Sequence, residues 1–132
     1  MESIRYIGVT GIEVWKNAAG RYHREDGPAI KWHTDQRESW YYDGEVHREG
    51  GPAMTMLTGA LIYYHHGNLH REDGPAIIGS SGEIEWHAYG EEYREIEDWA
   101  CAILSRRNQN TDAESINEFL KPILQKLTQQ FI

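Results

Sequence analysis

The sequence predicts an α+β fold in which short antiparallel β-hairpins stack unit on unit and C-terminal α-helices follow. Three observations predict it. First, His23-Arg24-Glu25-Asp26-Gly27-Pro28-Ala29 returns as His47-Arg48-Glu49-Gly50-Gly51-Pro52-Ala53 and again as His70-Arg71-Glu72-Asp73-Gly74-Pro75-Ala76, at steps of 24 and 23 residues. Self-similarity at a fixed period of this size marks a repeat architecture. Second, aromatic-rich runs precede each copy, and each run is closed by a glycine: Gly20, Gly44 and Gly67, with Gly90 closing a fourth. Third, from about Glu95 the apolar spacing changes from strand-like to helical.

One full unit spans residues 28–51. Ala29 to Trp32 reads as a short strand and His33 to Gln36 as a turn. Arg37 to Tyr42 reads as a second strand, because aromatics suit a pleated, half-buried surface. Asp43-Gly44 is a hairpin turn signal. Pro52 then starts the next strand, where its missing N–H does no harm. The same plan begins at Ile7 to Trp15 and recurs at Ile78 to Trp86. A fourth, decaying unit has Tyr93 where the histidine would stand and no Gly-Pro after it. Terminal repeats depart from the pattern because they cap the stack. The division is therefore residues 1–94 as the repeat sheet of about four units and 95–132 as a helical segment packing on it.

In that segment Ile96, Trp99, Ala100, Ile103 and Leu104 form one apolar stripe. Thr111 with Glu114 is a capping-box pattern that predicts the start of a second helix. Pro122 lies inside its stripe and predicts a kink or a fresh start near Lys121.

Composition narrows the function. The chain of 132 residues carries a net charge of −8. Phosphate binding draws on basic surface, so direct binding of nucleic acid is not expected, and a partner protein with a basic surface is. The single Cys101 sits inside the apolar run Trp99 to Leu104 and predicts a small core residue in a reducing compartment. No signal peptide or membrane span is legible, so the expected location is cytoplasmic.

The unit Trp40 to Ala53 resembles MORN-type repeats (membrane occupation and recognition nexus), and the ending from Trp86 through Gly90 to Tyr93 and Trp99 is similar to the way such arrays finish. The resemblance covers about residues 4–99. It implies hairpins stacked in a single elongated MORN-like sheet and a non-enzymatic role in binding and assembly. Variant units of this kind are frequent in bacteriophage and large-virus proteins. Departures are Gly50 for Asp, Tyr93 for His, and the lack of a Gly-x-Gly ending. Without a polybasic patch, the lipid binding associated with ordinary MORN proteins is not expected here.

The repeated motif invites a catalytic or metal reading. Zinc, however, needs three or four ligands converging at about 2 Å. Equivalent residues of stacked hairpins stand two strands apart, roughly 10 Å. His23, His47 and His70 are therefore expected to form a ladder, with His65-His66 as a separate local cluster, and no metal, cofactor or catalytic residue is assigned. Asp26 and Asp73 are expected to shape the turn ahead of Gly27-Pro28 and Gly74-Pro75, with Gly51-Pro52 as the middle copy. On a strand, neighbours point to opposite faces. One member of each pair Trp40/Tyr41 and Tyr63/Tyr64 is thus expected on a binding face, with Trp86 and the acids Glu38, Asp43 and Glu45. That face would be displayed to a partner protein or covered by a second protomer as a homodimer. The concrete form of this expectation is a small phage inhibitor, of the anti-defence type, that blocks a host nucleic-acid-binding protein. The alternatives are a metal-dependent enzyme using the histidine face and a structural part of a viral assembly.

Overall fold

A computed structural model describes residues 1–8 and 10–130. Val9, in the first turn signal, and Phe131 and Ile132, at the end of the helical segment, lie outside the described residues. The fold is α+β: a long antiparallel sheet followed by two helices.

The strands are β1 (Ile4–Ile7), β2 (Ile12–Lys16), β3 (Ile30–Trp32), β4 (Glu38–Ser39), β5 (Tyr41–Tyr42), β6 (Glu45–Val46), β7 (Met54–Thr55), β8 (Leu61–Ile62), β9 (Tyr64–His65), β10 (Asn68–Leu69), β11 (Ile77–Ile78), β12 (Ile84–Ala88) and β13 (Glu91–Tyr93). Nine of them form one sheet in the order β1-β2-β3-β4-β7-β8-β11-β12-β13. The pairs β5–β6 and β9–β10 form separate two-stranded hairpins.

The expected strand Arg37 to Tyr42 is therefore split at Trp40. The cause lies in the opposing chain. The Trp40 N–H donates to the Ala53 carbonyl (2.7 Å), while its own carbonyl accepts from the His47 N–H (3.0 Å). Between those two partners the chain leaves the ladder as the loop Arg48 to Pro52. Trp15 repeats this with Ala29 and His23, and Tyr63 with Ala76 and His70. In these three units an aromatic strand runs past a partner strand that is interrupted by the repeated motif. Ala29, Ala53 and Ala76 sit where the chain rejoins the ladder and are fully buried.

Apolar burial is concentrated at one end. Helix α1 (Ile96–Arg106) and helix α2 (Ala113–Gln130) bury Trp99, Ala100, Ile103, Leu120 and Ile123 against Trp86 and Ala88 of β12. The helices thus cap the terminal strands instead of covering the whole apolar face. The first unit is closed by a polar network: buried Glu13 accepts from Trp15 Nε1 at 3.0 Å, is ion-paired with Arg5 Nε at 3.0 Å and lies 3.0 Å from His33 Nε2. Burial pushes the Glu13 carboxyl up, but these partners together outweigh it and hold it below the usual range.

Two helix expectations need correction. Asp112, not Thr111, caps α2: its Oδ1 accepts from the Ser115 N–H at 2.8 Å. Asp112 directly precedes the first helical residue, which is where a side-chain oxygen reaches the free N–H groups. There is no fresh start near Lys121: one helix runs from Ala113 through Pro122 to Gln130. Pro122 and Glu118, whose carbonyl it leaves unpaired, are both exposed, so water can take the place of the lost bond.

Candidate interaction face: the stacked corners

Each copy of the motif folds into the same corner, and each residue type has a distinct task. The histidine caps the next unit. His23 Nδ1 accepts from the Asp43 N–H (2.9 Å), His47 Nδ1 from the His66 N–H (3.0 Å) and His70 Nδ1 from the Tyr89 N–H (2.9 Å). The three donors have φ of 47°, 46° and 55° and each is followed by a glycine at positive φ. These are two-residue hairpin turns needing positive φ at both positions, which matches the strand twist. The histidine so holds a left-handed non-glycine residue in place.

An Nδ1 that accepts must carry its ring proton on Nε2 when neutral. That proton faces the glutamate two residues on, with Nε2 3.2 Å from Glu49 and 3.1 Å from Glu72. In the first corner Glu25 lies 3.8 Å away, too far for a hydrogen bond.

The arginine closes the corner. Arg24, Arg48 and Arg71 place their guanidinium groups 4.2, 3.9 and 4.0 Å from the ring centres of Trp15, Trp40 and Tyr63. Each also donates through Nη1 to the proline carbonyl four residues on, at 3.1–3.3 Å. A cation over an aromatic face is worth about 0.5–2 kcal/mol. The glycine before the proline makes room: a Cβ on Gly51 or Gly74 would lie 2.8 or 2.6 Å from the arginine Cζ.

Asp26 and Asp73 accept from Arg24 Nε and Arg71 Nε at 3.1 and 2.8 Å. The middle corner shows that this grip is dispensable. Gly50 supplies no carboxylate and takes φ of 78°, yet Arg48 stacks and bonds as its counterparts do. The side chains of Asp26 and Asp73 are 88% and 77% exposed, and that of Glu49 is 78% exposed. The corners thus present a row of carboxylates along one side of the sheet.

Two grooves related by the repeat lie between successive corners. One is floored by Tyr41 between Arg24-Glu25 and Arg48-Glu49. The other is floored by Tyr64 between Arg48-Glu49 and Arg71-Glu72, and Arg107 closes it from beyond α1. Arg107 Nη2 donates to Glu72 at 3.0 Å. Burial pushes Glu72 up, but its bonds to His70 and Arg107 outweigh this and hold its carboxyl below the usual range.

The predicted binding residues fare unequally. Trp40 and Tyr63 are half-buried beneath their arginines, and Tyr41 and Tyr64 are half-buried groove floors. Burial first, then Tyr22 and Tyr64, pushes the Tyr41 hydroxyl up. Trp86 is not on display: it is buried with its ring 4.7 Å from Trp99. The reason is the helical cap, which covers the fourth unit alone. Glu38 pairs in register with Lys31 on β3. Asp43 is held by Asn17 Nδ2 (2.8 Å) and Arg21 (3.2 Å), and those bonds keep its carboxyl below the usual range. Glu45 is exposed, 3.5 Å from His66 Nδ1. Tyr42, 36% exposed in the first groove, was not among the predicted anchors.

One convergence departs from the expected ladder. His47 meets the turn of the next unit, where His66 stacks on it at 4.0 Å and His65 lies at 4.7 Å. One nitrogen of each ring lies within 4.8 Å of the others, a spacing that a metal ion could use. His47 is poorly suited to that role. Its Nδ1 lone pair is committed to the His66 N–H, so Nε2 keeps the proton that a metal would have to displace.

No family model, no curated protein and no solved structure matches the chain. The likeness to MORN-type units therefore rests on the repeated motif itself.

Proposed function

We propose that the chain is a non-enzymatic protein-binding module whose row of corner carboxylates docks on the basic, nucleic-acid-binding surface of a partner protein and blocks it. One observation carries this reading. Asp26 and Asp73 are displayed to solvent, and the middle corner closes without its aspartate. Carboxylates that the fold does not require are available to a partner. They stand two repeat steps apart, roughly 20 Å at two strands per unit, with the exposed Glu49 between them, and form a negative row complementary to a surface that holds phosphates. The half-buried Tyr41 and Tyr64 between the corners give that row apolar, aromatic ground of the kind that anchors interfaces. His23, His47 and His70 and their arginines are engaged in holding the corners, which favours a structural part for them over a chemical one. The resemblance to units frequent in phage proteins supports the inhibitor form of the reading.

The test is capture of a partner by the wild-type protein and by Asp26→Lys/Asp73→Lys. The middle corner indicates that the double variant keeps its fold, which circular dichroism checks. The wild type should retain a basic protein in stoichiometric amount and lose it to excess duplex DNA. The variant should bind it at least about tenfold more weakly, because like charges brought together cost several kcal/mol. Capture that is unaffected by the charge reversal, or no stoichiometric partner, contradicts the proposal. Among the described residues no helix is long and apolar enough to cross a membrane.

A further inference from the structure

We propose that the junction between the second and third units is an acid-sensitive latch, in which protonation of the His47–His65–His66 cluster releases the His66 turn and opens the β9–β10 hairpin while the neighbouring junctions hold. Among the described residues three junctions share one geometry, and only this one has a turn built of histidines. Where it has His65-His66, the others have Tyr42-Asp43 and Ala88-Tyr89. The turn needs a residue that accepts positive φ, which explains His66 as one choice among several. Nothing in the turn requires His65, whose side chain is 47% exposed.

The chemistry of the latch follows from the cap. An imidazolium carries N–H on both nitrogens and accepts no hydrogen bond. A proton on His47 Nδ1 would point at the His66 N–H, 3.0 Å away, and the cap would be lost. The groups facing His47 set how hard this is. His65 and His66 contact it, so a proton gained by either ring places positive charge 4.0–4.7 Å away, ring centre to ring centre. Glu49 opposes them, but its Oε1 is shared between His47 Nε2 (3.2 Å) and His65 Nδ1 (3.6 Å). Glu45 faces His66 instead, and Tyr42 presents its ring 6.2 Å from His47 and 6.1 Å from His66. Arg48 is engaged on Trp40, and Arg24 and Glu25 lie on the far wall of the first groove. Two imidazoles, His47 and His65, thus share one carboxylate, and the third, His66, faces Glu45.

Burial first, then His66 and His65, holds the His47 ring below its ordinary value of 6.5, against the pull of Glu49. The sign follows from linkage. A depressed histidine contributes its stability in full above the unfolded value, and that contribution is lost as pH falls below it toward the folded value. The latch is closed at neutral pH and weakens on mild acidification.

Amide hydrogen exchange at single-residue resolution tests this. The His66 amide is compared with the Asp43 and Tyr89 amides, which His23 and His70 cap, after correction for intrinsic exchange. Between about pH 7.5 and about 5.5, the range in which histidine changes charge, protection of His66 should fall relative to both controls by about tenfold, the equivalent of one lost hydrogen bond. His65→Tyr/His66→Asp copies the Tyr42-Asp43 turn and should abolish the difference. Equal pH dependence at the three amides overturns the latch. So does a selective loss that persists at residue 66 in the double variant. Neither result depends on whether the corner carboxylates bind a partner.

Discussion

Trp99→Ala is expected to cost about 3–5 kcal/mol, the range for truncating a large buried aromatic. Trp99 is fully buried and is the largest such side chain among the described residues. Its ring lies 4.7 Å from Trp86 and 5.9 Å from Phe119, so it joins β12 to both helices. Its Nε1 donates toward two carbonyls, those of Arg71 and His87, each at 3.2 Å. One side chain thus ties α1 to the third corner and to the last long strand. A domain of ordinary stability has about 5–15 kcal/mol in all, so the variant is expected to be marginal. Denaturant unfolding measures the loss. Exchange should rise first in α1, α2 and β12–β13, because the apolar cluster is confined to that end. A loss below about 1 kcal/mol, typical of surface sites, would mean that the helices do not depend on this anchor.

Gly74→Ala is expected to destabilise by about 1–3 kcal/mol, the usual cost of overpacking a filled site. The new methyl would sit 2.6 Å from Arg71 Cζ, over which the corner closes. To admit it, the guanidinium must leave the Tyr63 ring or the Pro75 carbonyl. A double-mutant cycle isolates the cause. In an Arg71→Ala background the same alanine should cost little, because the clashing group is gone. If the cost is unchanged in that background, the glycine serves the backbone alone and the proposed packing is wrong. Gly50 offers the contrast: a Cβ there meets nothing within 4 Å, although its φ of 78° disfavours one.

These two positions show what could be read from the chain alone. Repetition made the corners visible, and Asp43-Gly44 announced its turn through residues suited to positive φ. The glycine before each proline was legible as a constant, but its reason was not. That reason is an arginine folding back across it, which no linear spacing reveals. The split of the strand at Trp40 was hidden for a related cause: the interruption belongs to the opposite chain segment. The convergence of His47 with His65 and His66 joins a corner to the turn of the following unit. A ladder drawn from equivalent positions compares only like with like, and so passed over it. Trp86 looked like its counterparts in sequence, and the helical cap alone made it core. Asp112 was overlooked beside Thr111 because both can cap, and only the register of the first helical residue decides between them.

The repeated histidine acts as a structural cap in all three corners. Long-range proton–nitrogen correlation spectra report which ring nitrogen of each histidine carries the proton. In metal-free protein near neutral pH, His23, His47 and His70 should all be neutral with the proton on Nε2 and a bare Nδ1, since each Nδ1 accepts a backbone N–H at 2.9–3.0 Å. A proton on Nδ1 of these rings, or an averaged mixture of the two tautomers, would contradict the account.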